Sequence, residues 1–143
     1  WALIPYLVYV CMALGYALIG LGRLSGIEMT SAGEHLLVVG ALGLAVLIVM
    51  AVAGRMHSGW GLDHRRWLPG VTLLLCMAAL TRALAGTPLA SAAHGAGLHS
   101  AATLWVFGWS IYLLYSLKPL GGPRPDNRGG CDEAVPVVET AAR

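Results

Sequence analysis

Residues 35–57 read HLLVVGALGLAVLIVMAVAGRMH, a run with a histidine at each end and no charged residue between His35 and Arg55. A helix needs about 20 apolar residues to cross about 30 Å of hydrocarbon, so this run predicts a transmembrane helix. Imidazoles where such a helix enters and leaves the bilayer are typical of ligand, proton or metal sites, because ionisable groups are costly in hydrocarbon. The sequence therefore places two candidate functional groups, His35 and His57, at opposite ends of one span.

Composition places the whole chain in the same class. Of its 143 residues, 57% are hydrophobic and only 11% are charged. Alternating strand patterns are absent, so helices are the expected spanning form. The sequence predicts an all-α integral membrane protein with a four-helix transmembrane domain, residues 1–118, whose spans are about 5–22, 34–54, 68–85 and 95–117. Residues 119–143 are polar and lack periodicity, which predicts a disordered cytoplasmic tail.

Positive charges indicate the orientation. They concentrate in the loop after the second span and beyond the fourth span, at Arg55, Arg65, Arg66, Lys118, Arg124 and Arg128. By the positive-inside rule, this loop and both termini face the cytoplasm. The formal net charge of +2 is explained by these anchoring residues, so membrane lipid is an expected partner and nucleic acid is not. Because the chain starts at Trp1 rather than Met, the first span is not interpreted as a signal peptide.

Polar residues near the spans predict where helices begin. Ser31 and Glu34 have the spacing of a capping box, which would put His35 in the first turns of the second helix. Thr87 and Pro88 have the pattern of an N-cap and first helical position, so the fourth helix would start early. It would then carry both His94 and His99. The glycines and prolines of residues 121–125 would end it.

The four helices are also consistent with two tandem helical hairpins. The triplet Cys11-Met12-Ala13 starts 24 residues before His35, and Cys76-Met77-Ala78 starts 23 residues before His99. In a chain rich in Ala, Gly and Leu, chance similarity is the alternative explanation. A parallel repeat would relate the hairpins by an axis along the membrane normal. His35 and His99 would then face each other in the same leaflet.

The histidines at the outer ends of the second and fourth spans are the candidate haem ligands. Two neutral imidazoles from facing helices can ligate the iron of a haem b in a helical bundle, with Arg82 or Arg23 near a propionate. Imidazole also suits copper. The alternative is that His35, His94 and His99 are interfacial polar residues at helix starts. His94 and His99 are about 140° apart around a helix, so we favour His99, which matches His35 in the repeat.

Two cysteines near mid-membrane, Cys11 and Cys76, are each followed by a methionine. Thiolate and thioether ligands are soft and suit Cu(I). The alternative is simple packing, which is common for a buried Cys or Met.

His57 and His64 lie in a loop rich in arginine, where His57 is a candidate metal ligand. The alternative, favoured by the residues alone, is a solvated basic loop that faces lipid headgroups.

Several motifs together resemble the NnrS family. Residues 35–43, HLLVVGALG, resemble its His-x-Leu-x-Val-Gly-x-x-Gly helix, and residues 57–62, HSGWGL, resemble its His-Thr-Gly-Arg-x-Leu loop. Residues 78–84, AALTRAL, are similar to its next helix, which has a single arginine. Residues 104–115 and 123–130 are similar to its last helix and closing Pro-Arg segment.

The resemblance, which covers most of residues 32–130, implies a bacterial inner-membrane protein that contains haem and copper. It also implies a link to nitric oxide metabolism and to resistance to nitrosative stress, and it singles out His35, His57 and Arg82. Two departures from the family pattern weaken the case for anion binding by this loop. The arginine expected near Val52 is missing, although Arg55 lies a turn away, and Trp60 replaces the arginine of the loop.

Family members are usually far longer, and the chain resembles only their C-terminal part. A fragment, a reduced relative or a docking subunit is therefore expected. The alternative function is a noncatalytic accessory subunit that packs against a larger oxidase, reductase or photosynthetic complex, with a membrane-protein partner or a second copy. A small transporter is a third interpretation, weakened by the lack of acidic residues at mid-membrane. No nucleophile with a base and no paired carboxylates are evident, so any reaction would need haem or metal.

Overall fold

A computed structural model of the chain describes residues 3–62, 65–125 and 127. This part of the chain is helical and contains no strand. Its long helices are α1 (Leu3–Ser25), α2 (Thr30–His57), α3 (Leu68–Ala85) and α4 (His94–Gly121), with a 3₁₀ helix (Pro88–Ala93) leading into α4. Each of the four is long and apolar enough to cross a membrane. The predicted all-helical class and the number of membrane-length helices are thus confirmed.

The helix ends differ from the predicted spans. The third helix matches residues 68–85, whereas the other three extend beyond 5–22, 34–54 and 95–117. A helix can continue past the apolar segment because its own backbone satisfies its hydrogen bonds. Residues 119–121 therefore belong to α4, with Pro119 in its last turn, and not to a tail that begins at 119. The glycine-proline segment does end α4, while the tail positions 126 and 128–143 lie outside the described residues.

The predicted capping box is wrong. Helix α2 begins at Thr30 with Met29 as its N-cap, and no side chain caps it. Ser31 and Glu34 lie inside the first turns instead of at the boundary, and the Ser31 hydroxyl is 3.5 Å from Nδ1 of His35.

The fourth helical segment begins at the predicted position, but its first residues form a 3₁₀ helix and not an α-helix. Thr87 is extended, with φ −96° and ψ 153°, and Pro88 follows it. The next residues form a 3₁₀ helix, so the α-helix proper begins at His94 and carries both His94 and His99, as predicted.

Helix α2 contains a π-helical segment, Leu36–Leu42, that the sequence pattern does not predict. It begins directly after His35. A Cβ built on Gly40, within this segment, would lie 3.0 Å from Sγ of Cys11 and 3.3 Å from Cβ of Ala79. The segment is therefore packed tightly between α1 and α3. Segments of π-helix are rare and are found frequently at functional sites.

Consecutive helices pack against each other in antiparallel pairs. Helix α1 contacts α2, α3 contacts α4, and α2 also packs on α3. The larger core cluster is centred on fully buried Leu44, Leu47, Val71, Leu75 and Tyr112. This pairing agrees with two tandem hairpins, while the internal sequence repeat stays a prediction.

We call the end with Arg55, Arg65, Arg66 and Lys118 the basic end, and the end with His35, His94 and His99 the opposite end.

Helices α1 and α2 approach each other through glycines. A Cβ on Gly33 would lie 2.5 Å from the carbonyl oxygen of Gly15 and 2.7 Å from Cγ1 of Ile19. No real Cβ fits at such distances without a shift of the backbone. Small residues that allow close backbone contact are the usual means of helix association in lipid.

We predict that Gly33→Ala lowers the free energy of unfolding by about 1–3 kcal/mol, the usual cost of overpacking. The measurement is unfolding of the purified protein in mixed detergent with increasing SDS. Gly43→Ala is the matched control on the same helix, because a Cβ there meets nothing within 4 Å. Equal stability of the two variants would contradict this close contact.

Candidate functional site

A cavity of about 390 Å³ lies among α2, α3 and α4 around Arg82. The Nη1 atom of Arg82 is buried and has no hydrogen-bond partner among the described residues. A guanidinium keeps its charge, and a buried donor without an acceptor is costly. The rest of the lining is apolar or aromatic, from Val39, Leu98, Ala101, Ala102, Trp105 and Val106. The cavity therefore offers an unsatisfied cationic donor in an apolar setting.

The cavity opens towards the outside of the bundle. Two of its lining side chains on α4, Trp105 and Val106, are 42% and 57% exposed. A molecule bound beside Arg82 would therefore be only partly enclosed by this chain.

The three histidines of the opposite end each form a hydrogen bond between Nδ1 and a backbone carbonyl oxygen. Nδ1 of His35 lies 2.6 Å from the carbonyl oxygen of Ser31. The corresponding distances are 2.7 Å from His99 to Gly95 and 2.6 Å from His94 to Ala85. A carbonyl can only accept, so Nδ1 must carry the proton and donate. Nε2 is then the nitrogen with the lone pair, which is the arrangement of metal-ligating histidines.

Two of these histidines belong to the helix segments that line the Arg82 cavity. His35 lies one turn before Val39 on α2, and His99 lies one turn before Ala102 on α4. Helices α2 and α4 thus both contribute to the cavity, but neither His35 nor His99 is among the residues that line it. Arg23, the other arginine considered for a propionate, is exposed in the last turn of α1 and does not line it.

His94 has a different role in the fold. Its Nδ1 donates to the carbonyl of Ala85, the last residue of α3. This bond fastens the start of α4 to the end of α3 and satisfies a carbonyl that the helix leaves unpaired. The contact is structural, and cofactor binding by His94 stays a prediction.

Cys11 lies on α1 and Cys76 lies on α3. Both thiols are free and partly buried at the edge of the larger core cluster. A Cβ built on Gly40 of α2 would lie 3.0 Å from Sγ of Cys11. In the described ranges, no group of three or more His, Cys, Asp or Glu side chains is arranged to hold a metal ion. A copper site here would therefore rest on the two thiols.

His57 is remote from the other candidate ligands. It is the last residue of α2 and is exposed, and its backbone carbonyl accepts a 2.8 Å hydrogen bond from Nη1 of Arg124. With about 1.5 Å of rise per residue, it lies roughly 33 Å from His35 along the helix. A metal role for His57 stays a prediction, and His64 lies outside the described residues.

The fold and the site together define a helical bundle with four membrane-length helices and a cavity that combines histidine-bearing helices with one arginine. The family model of the NnrS protein matches residues 1–124, and the chain belongs to the NnrS family, which is linked to nitric oxide metabolism. The match confirms the resemblance and extends it to α1, which the motifs did not include. No curated protein sequence and no solved structure is significantly similar to the chain.

Because Nη1 of Arg82 is buried without a hydrogen-bond partner among the described residues, removal of this arginine should stabilise the protein. We predict that Arg82→Met raises the free energy of unfolding by about 1–3 kcal/mol, the usual penalty of an unsatisfied buried polar group. The measurement is unfolding by SDS of protein that has been purified without added haem. Arg23→Met, at an exposed position, is the control and should change little. A destabilised Arg82→Met protein would mean that the arginine has a structural partner.

Proposed function

We propose that the protein binds haem b beside Arg82 and that His35 and His99 would hold its iron. It would act in nitric oxide metabolism as a multi-pass protein of the bacterial inner membrane with both termini in the cytoplasm. The observation that carries the proposal is the unpartnered Nη1 of Arg82 in an apolar cavity whose walls belong to the two histidine-bearing helices.

The residues of the cavity fit the chemistry of this group. A propionate carboxylate would provide the acceptor that Arg82 lacks, because arginine forms strong charge-assisted bonds with carboxylates. The apolar lining suits the macrocycle, and the cavity of about 390 Å³ lies within the roughly 300–1,000 Å³ of small-molecule sites. Nδ1–H bonds to Ser31 and Gly95 orient the two imidazoles and leave Nε2 for iron.

The chain itself would contribute binding, orientation and a low-dielectric surrounding. When bound, a haem held by two histidines would supply electron transfer. Arg82 would hold the charged edge of the haem, and Trp105 and Val106 would limit the access of water from the side of the bundle.

Visible absorption of the purified, haem-supplemented protein tests this proposal. We predict a Soret band for the wild type, and loss of at least nine-tenths of it in the double variant His35→Ala/His99→Ala, because metal ligands are lost. His57→Ala, which changes the histidine at the other end of α2, is the matched control and should keep the band. Absence of a Soret band in the wild type, or its persistence in the double variant, would refute the assignment.

A copper site formed by Cys11 and Cys76 is a second part of the proposal. Two soft thiolates suit Cu(I), and both thiols pack against the same core cluster. Met12 and Met77 are both exposed and follow the cysteines in the chain.

We predict that the protein binds about one equivalent of Cu(I) under reducing conditions, and that Cys11→Ser or Cys76→Ser lowers its affinity at least tenfold, because a hard hydroxyl replaces a soft ligand. The measurement is competition with a chromogenic Cu(I) chelator. Ser100→Ala, on exposed α4 surface, is the control. Unchanged Cu(I) binding in both cysteine variants would mean that the thiols only pack.

The alternative, a noncatalytic accessory subunit, is favoured by the lateral opening of the Arg82 cavity, which a partner helix or a second copy could cover. Co-purification of a stoichiometric partner that is unaffected by His35→Ala/His99→Ala would support it over haem binding.

A further inference from the structure

Two adjoining cavities lie at the basic end, and both are lined by Arg65 and Arg66. The first, which we call the cationic pocket, has a volume of about 310 Å³ and is also lined by Arg55, Lys118 and Trp60. The second, which we call the apolar groove, has about 510 Å³ and runs between α1 and α3. Neither is part of the Arg82 cavity.

In the cationic pocket, the charged groups of basic side chains lie over aromatic rings. The guanidinium of Arg55 and the ammonium of Lys118 lie 5.5 and 5.6 Å from the ring centre of Trp60. Arg65 lies 5.5 Å from the ring centre of Trp67, which in turn stacks on Tyr115. Tryptophan and tyrosine at the level of the headgroups are typical of membrane proteins.

The charge of the pocket favours an anion. No Asp or Glu side chain lines either cavity in the described part of the chain. The pocket has four cationic side chains, from Arg55, Arg65, Arg66 and Lys118. They leave an excess of positive charge even when Asp63 of the same loop is counted. The Nε1 atom of Trp60 is buried and has no hydrogen-bond partner among the described residues. An anionic oxygen would provide the missing acceptor for this N–H donor.

The apolar groove has the chemistry and length of an acyl-chain site. Its lining includes Leu3, Leu7, Leu68, Leu73 and Cys76. Leu68 and Cys76 are eight residues apart on α3, which is about 12 Å at 1.5 Å per residue. One leaflet accounts for about half of the roughly 30 Å hydrocarbon core. The groove therefore extends over most of one leaflet, starting from the arginines.

We propose that the cationic pocket and the apolar groove form one site for an anionic phospholipid. The phosphate binds between Arg66, Lys118 and Trp60, and one acyl chain lies in the groove between α1 and α3. A soluble anion would match the pocket but leave the groove open, and a lipid with a zwitterionic headgroup would bring an ammonium group into a cationic surrounding. This assignment requires the helices to lie in a bilayer and is independent of haem binding.

Native mass spectrometry of the delipidated protein, mixed with phosphatidylglycerol or phosphatidylcholine in neutral detergent, tests this site. We expect one retained phosphatidylglycerol per chain, in clear preference to phosphatidylcholine. Arg66→Gln/Lys118→Gln should weaken retention roughly 30-fold, since each basic residue near an anionic lipid contributes about 1 kcal/mol, or about fivefold. Arg23→Gln, a cation at the opposite end, is the matched control and should retain the lipid.

Two comparisons on the wild-type protein need no variant. Inorganic phosphate at millimolar concentration should not displace phosphatidylglycerol, because it cannot fill the groove. Displacement by phosphate would show a free-anion pocket and overturn the lipid site. Equal retention of phosphatidylglycerol and phosphatidylcholine, or full retention by the Arg66→Gln/Lys118→Gln protein, would overturn it as well.

Discussion

The close backbone contact of α1 with α2 is the constraint on which the rest of the bundle depends. Gly15 and Gly33 have no side chains between the helices, and the carbonyl of Gly15 occupies the space that a Cβ on Gly33 would need. In lipid, helices gain little from hydrophobic contact, so such close packing decides which faces meet. The contact sets the rotation of α2, and with it the positions of His35 and of the π-helical segment that follows.

The two ends of the bundle differ in chemistry. At the opposite end, a single arginine lies in an apolar cavity and the histidines have their Nδ1 atoms bound to carbonyls. At the basic end, several cations lie on tryptophan rings. The first setting suits an apolar ligand with a carboxylate, and the second suits a phosphate with an apolar chain. The core of leucines and Tyr112 separates them, so the two ligands would bind without contact.

Much of the fold could be predicted from the sequence, because membrane-length apolar runs and their polar boundaries are local features. Residues 68–85 agree with α3 to the residue. Residue type and family resemblance single out His35, His99 and Arg82, and their role as a haem site stays a prediction. The π-helical segment was missed, because apolar periodicity does not distinguish π from α in a uniformly apolar run. The capping box was wrong because its spacing also occurs inside a helix.

The sequence by itself determined the class of protein, the four apolar helices and the membership of the NnrS family, since these depend on composition, length and ordered motifs. Only the tertiary structure decided which polar groups share a cavity. Arg82 of α3 shares a cavity with residues of α2 and α4, and Lys118 of α4 lies over the ring of Trp60 in the loop after α2. Such neighbours depend on helix rotation and crossing, which close packing at glycines controls and residue order alone does not specify.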